Sequence, residues 1–308
     1  MEEYIIENAE GGQFVYTLQK TGISIKRYRG TGIRAAIPAQ IGGKPVISIE
    51  KKAFLSCKTI QEIVLPNTIE EIGDWAFAHA EQLRSITVPH CYLHYGKELF
   101  LGCKRLKEIV LDGTEEEKAI RTENGLGRML AMAVTILHDY FLFSPKEVGT
   151  EAWIKRWDEK LLDLIALDDL DGFEELWTCG EEDYEGKDYD IKSYPVEKRK
   201  MKLRIVYFRL IHPYKISEQT SNTLKKYLAM HTKGTQMPEA WDIIIEEHKE
   251  ELEYYKTFAD AGGVTLDNFD LLLADTAKVN AEIKAFLLRY KEEHFGQKDA
   301  FADFELDW

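Results

Sequence analysis

Apolar residues in the first third of the chain return at a fixed interval of 23 positions. Ala53-Phe54 is answered by Ala76-Phe77 and then Leu99-Phe100. Ile60, Leu83 and Leu106 keep the same step, as do Ile63, Ile86 and Ile109, and Leu65, Val88 and Leu111. A small residue, Cys57, Ala80 or Cys103, travels with them. A period of this size predicts a solenoid, because one such unit cannot bury enough apolar surface alone and neighbours must stack. Inside each unit the alternation Ile63-x-Leu65, Ile86-x-Val88 and Ile109-x-Leu111 predicts one short strand with those side chains inward. Pro66 and Pro89 close the first two strands, since proline has no N–H for the ladder. Asp112-Gly113 stands at the third equivalent place and marks the end of the repeat. Phe54, Phe77 and Phe100 are expected to pile into an interior aromatic ladder on the side away from the strands.

From about Leu126 the spacing becomes helical. Met129, Leu130, Val134, Leu137 and Phe141 share one helix face, and Trp153, Trp157, Leu161, Leu164 and Ile165 share another. Asp168-Asp169-Leu170-Asp171-Gly172 reads as a turn opening a helix with Phe173, Leu176 and Trp177, followed by a polar connector over 180–195. Further helices are expected near 196–211, 216–231, 238–260, 266–277 and 279–294, punctuated by Pro195, Pro213, Pro238 and Gly262-Gly263. The fold class is therefore α+β: a short repeat solenoid with an N-terminal cap over 1–113, and an all-α domain of antiparallel helix pairs over 114–308. The helical part is expected to pack on the last strand, whose free edge otherwise invites pairing with another chain.

The segment Ile63-Val64-Leu65-Pro66-Asn67-Thr68-Ile69-Glu70-Glu71-Ile72-Gly73-Asp74-Trp75-Ala76-Phe77 resembles the BspA-like (treponemal-type) leucine-rich repeat, I-x-I-P-x-x-V-x-x-I-G-x-x-A-F-x-x-C-x-x-L. The approach to it, Ile23-Ser24-Ile25, Tyr28, Gly30, Ile37-Pro38 and Ile41-x-Gly43-Lys44-Pro45-Val46, is similar to that family's N-terminal entry. The likeness covers about residues 13–112 and departs in the third copy, where His90-Cys91-Tyr92-Leu93-His94-Tyr95 replaces the usual valine and isoleucine. It implies a curved solenoid used for protein–protein contact, often on bacterial or protist surfaces, and it implies no catalytic residues. More weakly, 269–274 and 280–290 resemble the paired helices of a degenerate ankyrin-like repeat, without its Thr-Pro-Leu-His loop.

Charge sharpens the division. The 308 residues carry a net −14, made of +1 over 1–113 and −15 over 114–308. Clustered positive charge is what phosphate backbones need, so nucleic acid and anionic membrane are not expected partners of the second half. No apolar run reaches the roughly 18 residues of a membrane helix. The acidic start Met1-Glu2-Glu3-Tyr4 lacks the regions of a secretory leader, which points to a cytoplasmic chain. Cys57 and Cys103, two rungs apart at about 4.8 Å per rung, are too distant for a disulfide and read as small buried apolar residues.

Candidate chemistry is sparse. There is no phosphate loop, dinucleotide fingerprint, nucleophile elbow or His-Glu-x-x-His. His90, Cys91 and His94 have short metal-ligand spacing but lack a second cluster to close a site. Asp183, Glu185, Asp188 and Asp190 do not reproduce an EF-hand loop. His138-Asp139 are neighbours that point apart on a helix, and His248 among Glu246, Glu247, Glu250 and Glu251 suits helix-face pairing. Trp153, Trp157, Trp177 and Trp241 suit core positions. No catalytic, metal or cofactor residue is assigned. The expected function is a non-enzymatic interaction module whose concave strand face offers Glu62, Val64, Arg84, Ser85, Thr87, Lys107, Glu108 and Val110 to an unknown protein partner. The alternatives are an enzyme with its site in the helical half, targeted by the repeats, and a surface adhesion protein.

Overall fold

Parallel pairing carries the repeat. The computed structural model describes residues 2–172, 193–276 and 281–296. Strands β4 (Arg34–Ala36), β7 (Glu62–Val64), β9 (Ser85–Val88) and β11 (Glu108–Leu111) form one sheet in the order β11-β9-β7-β4. Its register follows the sequence period: Ile63 lies opposite Ile86, and Ile86 opposite Ile109. These isoleucines, with Leu65, Val88 and Leu111, are buried.

Each rung also holds a second strand that the apolar pattern did not separate. β6 (Lys44–Ile49), β8 (Glu71–Ile72) and β10 (His94–Tyr95) pair in parallel, with Ile49 opposite Ile72 and Ile72 opposite Tyr95. This second sheet begins in an antiparallel cap of β1 (Glu3–Glu7), β2 (Gln13–Leu18) and β3 (Ile23–Arg29), after which β3 pairs in parallel with β6. The two-residue strand β5 (Gln40–Ile41) pairs with β6.

The aromatic ladder rises from the buried turns that link the strands. Phe54, Phe77 and Phe100 are buried, with ring centroids 5.6 Å and 5.5 Å apart. That step is slightly longer than the strand spacing of about 4.8 Å, so each rung contributes one ring, tilted between Phe54 and Phe77 and stacked between Phe77 and Phe100. The ladder continues past the repeat. Tyr28 stacks on Phe54 at 5.5 Å and Phe14 lies tilted against Tyr28 at 5.5 Å, while Phe143 closes the far end edge-on, 5.5 Å from Phe100.

The turns holding the rings are bonded rung to rung as well. The Phe54 N–H donates to the Ala76 carbonyl (2.7 Å) and the Phe77 N–H to the Leu99 carbonyl (3.1 Å). Left-handed backbone recurs at Lys52, Trp75 and Glu98, and again at Ser56, His79 and Gly102, one repeat apart each time. Gly73 and Gly96 sit where the corners touch. A Cβ on Gly73 would collide with the backbone N of Lys51, and one on Gly96 with the backbone N of Asp74. That close approach is the physical reason for the glycine in the repeat.

The expected cover on the last strand is made by α1 (Glu115–Glu123) and α2 (Leu126–Thr135). Thr114 opens α1 with a reciprocal cap: its hydroxyl accepts from the Glu117 N–H (3.2 Å) and the Glu117 carboxylate accepts from the Thr114 N–H (3.0 Å). α2 packs on β11. At Gly127 a Cβ would lie 2.9 Å from the Ile109 carbonyl oxygen, so the helix comes as near as glycine permits. Arg121 donates to the Leu111 and Asp112 carbonyls at the strand's end. The irregular third copy has its reason here. Tyr95 meets the segment after α2 rather than another rung, with its hydroxyl on the Tyr140 carbonyl (3.2 Å) and its ring against Phe143 (5.2 Å).

The helix anticipated through Phe141 stops at Thr135. Asp139 takes the Phe141 N–H (3.0 Å) and a two-point contact from Arg156 (2.9–3.1 Å), which winds 140–142 into a 3₁₀ turn. Phe141 is left 77% exposed beneath the Arg156 guanidinium. α3 (Glu151–Ala166) follows as expected; its buried Trp157 and Trp153 indoles donate to the Met129 and Leu142 carbonyls.

The chain folds as two compact units, Met1–Lys160 and Leu161–Trp308. The change from strands to helices falls at Gly113–Thr114, whereas the change of unit falls inside α3. The second unit contains α4 (Ser193–Ile211), α5 (Glu218–Met230), α6 (Glu239–Glu247), α7 (Leu252–Asp260), α8 (Phe269–Asp275) and α9 (Ala281–Phe295). The single helix expected over 238–260 is two. Its acidic stretch Glu246-Glu247-His248-Lys249-Glu250-Glu251 has no apolar anchor and sets like charges three and four apart. His248 bonds Glu251 (2.8 Å) and stacks on Tyr254 at the break. α4 is the common centre, packed by α5, α6 and α7. In a linear stack each pair would touch only its neighbours, so the ankyrin-like likeness of 269–274 and 280–290 is not confirmed.

Candidate interaction surface

Alternation along β7, β9 and β11 turns every second side chain out of the solenoid. One outward row is Arg34, Glu62, Ser85 and Glu108, and the next is Ala36, Val64, Thr87 and Val110, each in register across the sheet. Six of the eight residues singled out from sequence lie in these rows and are half-buried by their neighbours: Glu62, Val64, Ser85, Thr87, Glu108 and Val110. Arg84 and Lys107 stand one position ahead of β9 and β11. They are exposed, and the Lys107 N–H donates to the Arg84 carbonyl at 2.8 Å. All eight therefore lie on or at the entry of one sheet.

Its electrostatics are uneven. Arg34 is engaged by both Glu10 and Glu62, the latter at 3.1 Å. The Glu108 side chain leans toward Gly127, and Glu108 and Val110 line a small cleft with Lys118 and Arg121. At that end the cover shields part of the face.

The remaining candidates are accounted for separately. His90 Nδ1 lies 2.9 Å from Arg121 Nη2; burial first, then the Arg121 charge, holds its pKa below the usual histidine value. His94 is in β10, on the other sheet. His138 is exposed while Asp139 is buried on Arg156. Trp153, Trp157 and Trp241 are core. Asp183, Glu185, Asp188, Asp190, Cys179 and Trp177 lie outside the described residues. Among the described residues no group of three or more His, Cys, Asp or Glu is placed to hold a metal ion, and no helix is long and apolar enough to cross a membrane.

Two features escaped the sequence reading. An open groove of about 830 Å³ lies on the β3-β6-β8-β10 sheet, lined among others by Ser24, Ser48, Glu71 and His94. Beside it, Trp75 donates to Glu98 (2.5 Å) under the ammonium groups of Lys51 and Lys52. The 23-residue step does connect Lys52, Trp75 and Glu98, but they share no chemistry that would mark them as one column.

Rung pairing at this interval, with a ring and a glycine corner in each turn, matches a known repeat. Residues 39–121 fit the model of the BspA type leucine rich repeat region (6 copies). This segment is similar to a BspA-type leucine-rich repeat region. Among solved structures, the chain is similar to a leucine rich repeat protein of T. pallidum, at 32% identity over 32% of this chain and 46% of that one, with a TM-score of 0.26. It is also similar to a leucine rich cell surface protein of Faecalibacterium prausnitzii (20% identity; 36% and 33% covered; TM-score 0.29). A third is a leucine-rich repeat protein of Bacteroides capillosus (16% identity; 35% and 99% covered; TM-score 0.27). The chain spans less than half the length of the first two. No curated protein matches it. The BspA-type match ends within α1, so the helical unit lies outside it.

Proposed function

We propose that the protein is a non-enzymatic interaction module whose BspA-type repeats present the outward face of β7, β9 and β11 to a protein partner. The observation that carries this reading is the in-register placing of Val64, Thr87 and Val110 beside Glu62, Ser85 and Glu108. β-branched side chains flanked by a polar row have the make-up of part of an interface core with its rim. The backbone beneath them is fixed by parallel pairing, so little ordering entropy is lost on docking. A cytoplasmic setting belongs to the same reading and is checked by cell fractionation. The central test is affinity capture from cell lysate by the wild-type chain and by Thr87→Arg, which puts a long charged side chain between Val64 and Val110. Loss of the captured protein from Thr87→Arg, with an unchanged circular dichroism spectrum, supports the face. An identical captured set for both proteins removes it.

A further inference from the structure

We propose, on the reading that the β7–β9–β11 face is the docking surface, that its partner presents an acidic polypeptide segment there. The argument starts from which charges on the face are already spent. Arg34 is held between Glu10 and Glu62, so both of those carboxylates already have a cation beside them within the protein, although the trio keeps one net negative charge. Glu108 leans to the α2 end, sharing its cleft with the cations of Lys118 and Arg121. Arg84 and Lys107 are different. Both are exposed, and among the described residues neither guanidinium nor ammonium has an ion pair or hydrogen bond. Stacking on successive rungs sets their backbones about 5 Å apart. Two cations at that separation repel each other, and an anion placed between them relieves the repulsion while gaining both attractions.

Shape supports the same chemistry. The free cations stand at the strand entries, three positions ahead of Thr87 and Val110 in the half-buried row Val64, Thr87 and Val110. A chain with carboxylates toward Arg84 and Lys107 and apolar side chains toward that row satisfies both at once. The acidity of residues 114–308 does not forbid this. At physiological salt, charge further away than about 8 Å is largely screened, whereas contact pairs are not.

The test is an NMR titration of the full chain with poly-L-glutamate, run beside poly-L-lysine and a mixed-sequence DNA duplex. Poly-L-glutamate is expected to shift the amides of Arg84–Thr87 and 107–110. Two exposed ion pairs of ordinary strength together amount to roughly fivefold in affinity. Arg84→Glu/Lys107→Glu is therefore expected to weaken binding at least that much, Arg84→Gln/Lys107→Gln to weaken it less, and Lys256→Glu, in the second unit, to leave it unchanged. Absent shifts, equal affinity in the double variants, or tighter binding of poly-L-lysine or DNA at these amides each overturns the proposal. Capture from lysate separates it from the reading beneath it. If Thr87→Arg abolishes capture and the charge variants do not, the face stands and the acidic partner falls; if neither has an effect, both fall.

Discussion

Replacing Phe77 by alanine tests the interior of the solenoid directly. The ring is fully buried, 5.6 Å from Phe54 on one side and 5.5 Å from Phe100 on the other. Burying a phenylalanine side chain is worth about 1.5–3 kcal/mol in transfer alone. Each aromatic neighbour in contact adds about 0.5–1.5 kcal/mol beyond area, and Phe77 has two. Relaxation cannot fill the gap, because the turns above and below are tied by the Phe54–Ala76 and Phe77–Leu99 backbone bonds. The cost should lie near the middle of the range for Phe→Ala in cores, about 4 kcal/mol. With a urea slope of roughly 2 kcal/mol per molar, the midpoint of the repeat unit should fall by about 2 M. Urea unfolding followed by hydrogen exchange of the β7, β9 and β11 amides reads that unit alone. A midpoint shift below about 0.5 M, with unchanged slope, would mean the rings do not interlock.

Gly73→Ala and Gly96→Ala should each destabilise the solenoid by about 1–3 kcal/mol through overpacking at the rung corners, seen as a lower melting temperature; unchanged melting would show the corners have room. Burial would raise the Asp169 carboxyl, but hydrogen bonds from Lys202 and Arg199 outweigh it and hold the pKa below the usual aspartate value. Its folded pKa being depressed, Asp169 contributes stability above the unfolded value near pH 4 and loses it as the pH falls through the folded pKa. Asp169→Asn should lower stability at pH 7 and flatten the loss below pH 4 in urea titrations; parallel curves for the two proteins would refute the pairing. Burial pushes the Cys103 thiol up to about 12, and its S–H donates to the Phe77 carbonyl at 3.2 Å. At pH 8 in native conditions iodoacetamide should leave the Cys103 peptide unlabelled by mass spectrometry, with labelling appearing only in urea.

The ladder and its register were legible in sequence because a solenoid's contacts join residues one period apart. Phe54, Phe77 and Phe100 had to stack once the rungs did, and the outward placing of Glu62, Ser85 and Thr87 followed from alternation. The ends of the ladder were not legible. Tyr28 and Phe14 belong to the antiparallel cap, and Phe143 follows a turn set by Asp139 and Arg156. Their positions bear no fixed interval to the repeat. The second strand of each rung was hidden for another reason: β8 and β10 are two residues long and hold one apolar residue each, Ile72 and Tyr95, and in β6 the buried Val46 and Ile49 lie three apart, so there is no alternation to read.

For the helical unit, sequence spacing found most helices but not their arrangement. It could not see that α4 is the shared centre, or that Arg199 would join Asp169 to Glu239 across long stretches of chain. Periodicity encodes neighbours at a set distance along the chain, so by itself the sequence determined the rungs, their interior and the side of the sheet that faces out. Only tertiary structure decided where that array stops, how Gly127 lets α2 close over β11, and which cations on the face, Arg84 and Lys107, are left without an anion. Those outcomes depend on groups meeting from unrelated positions, and no local pattern records such meetings.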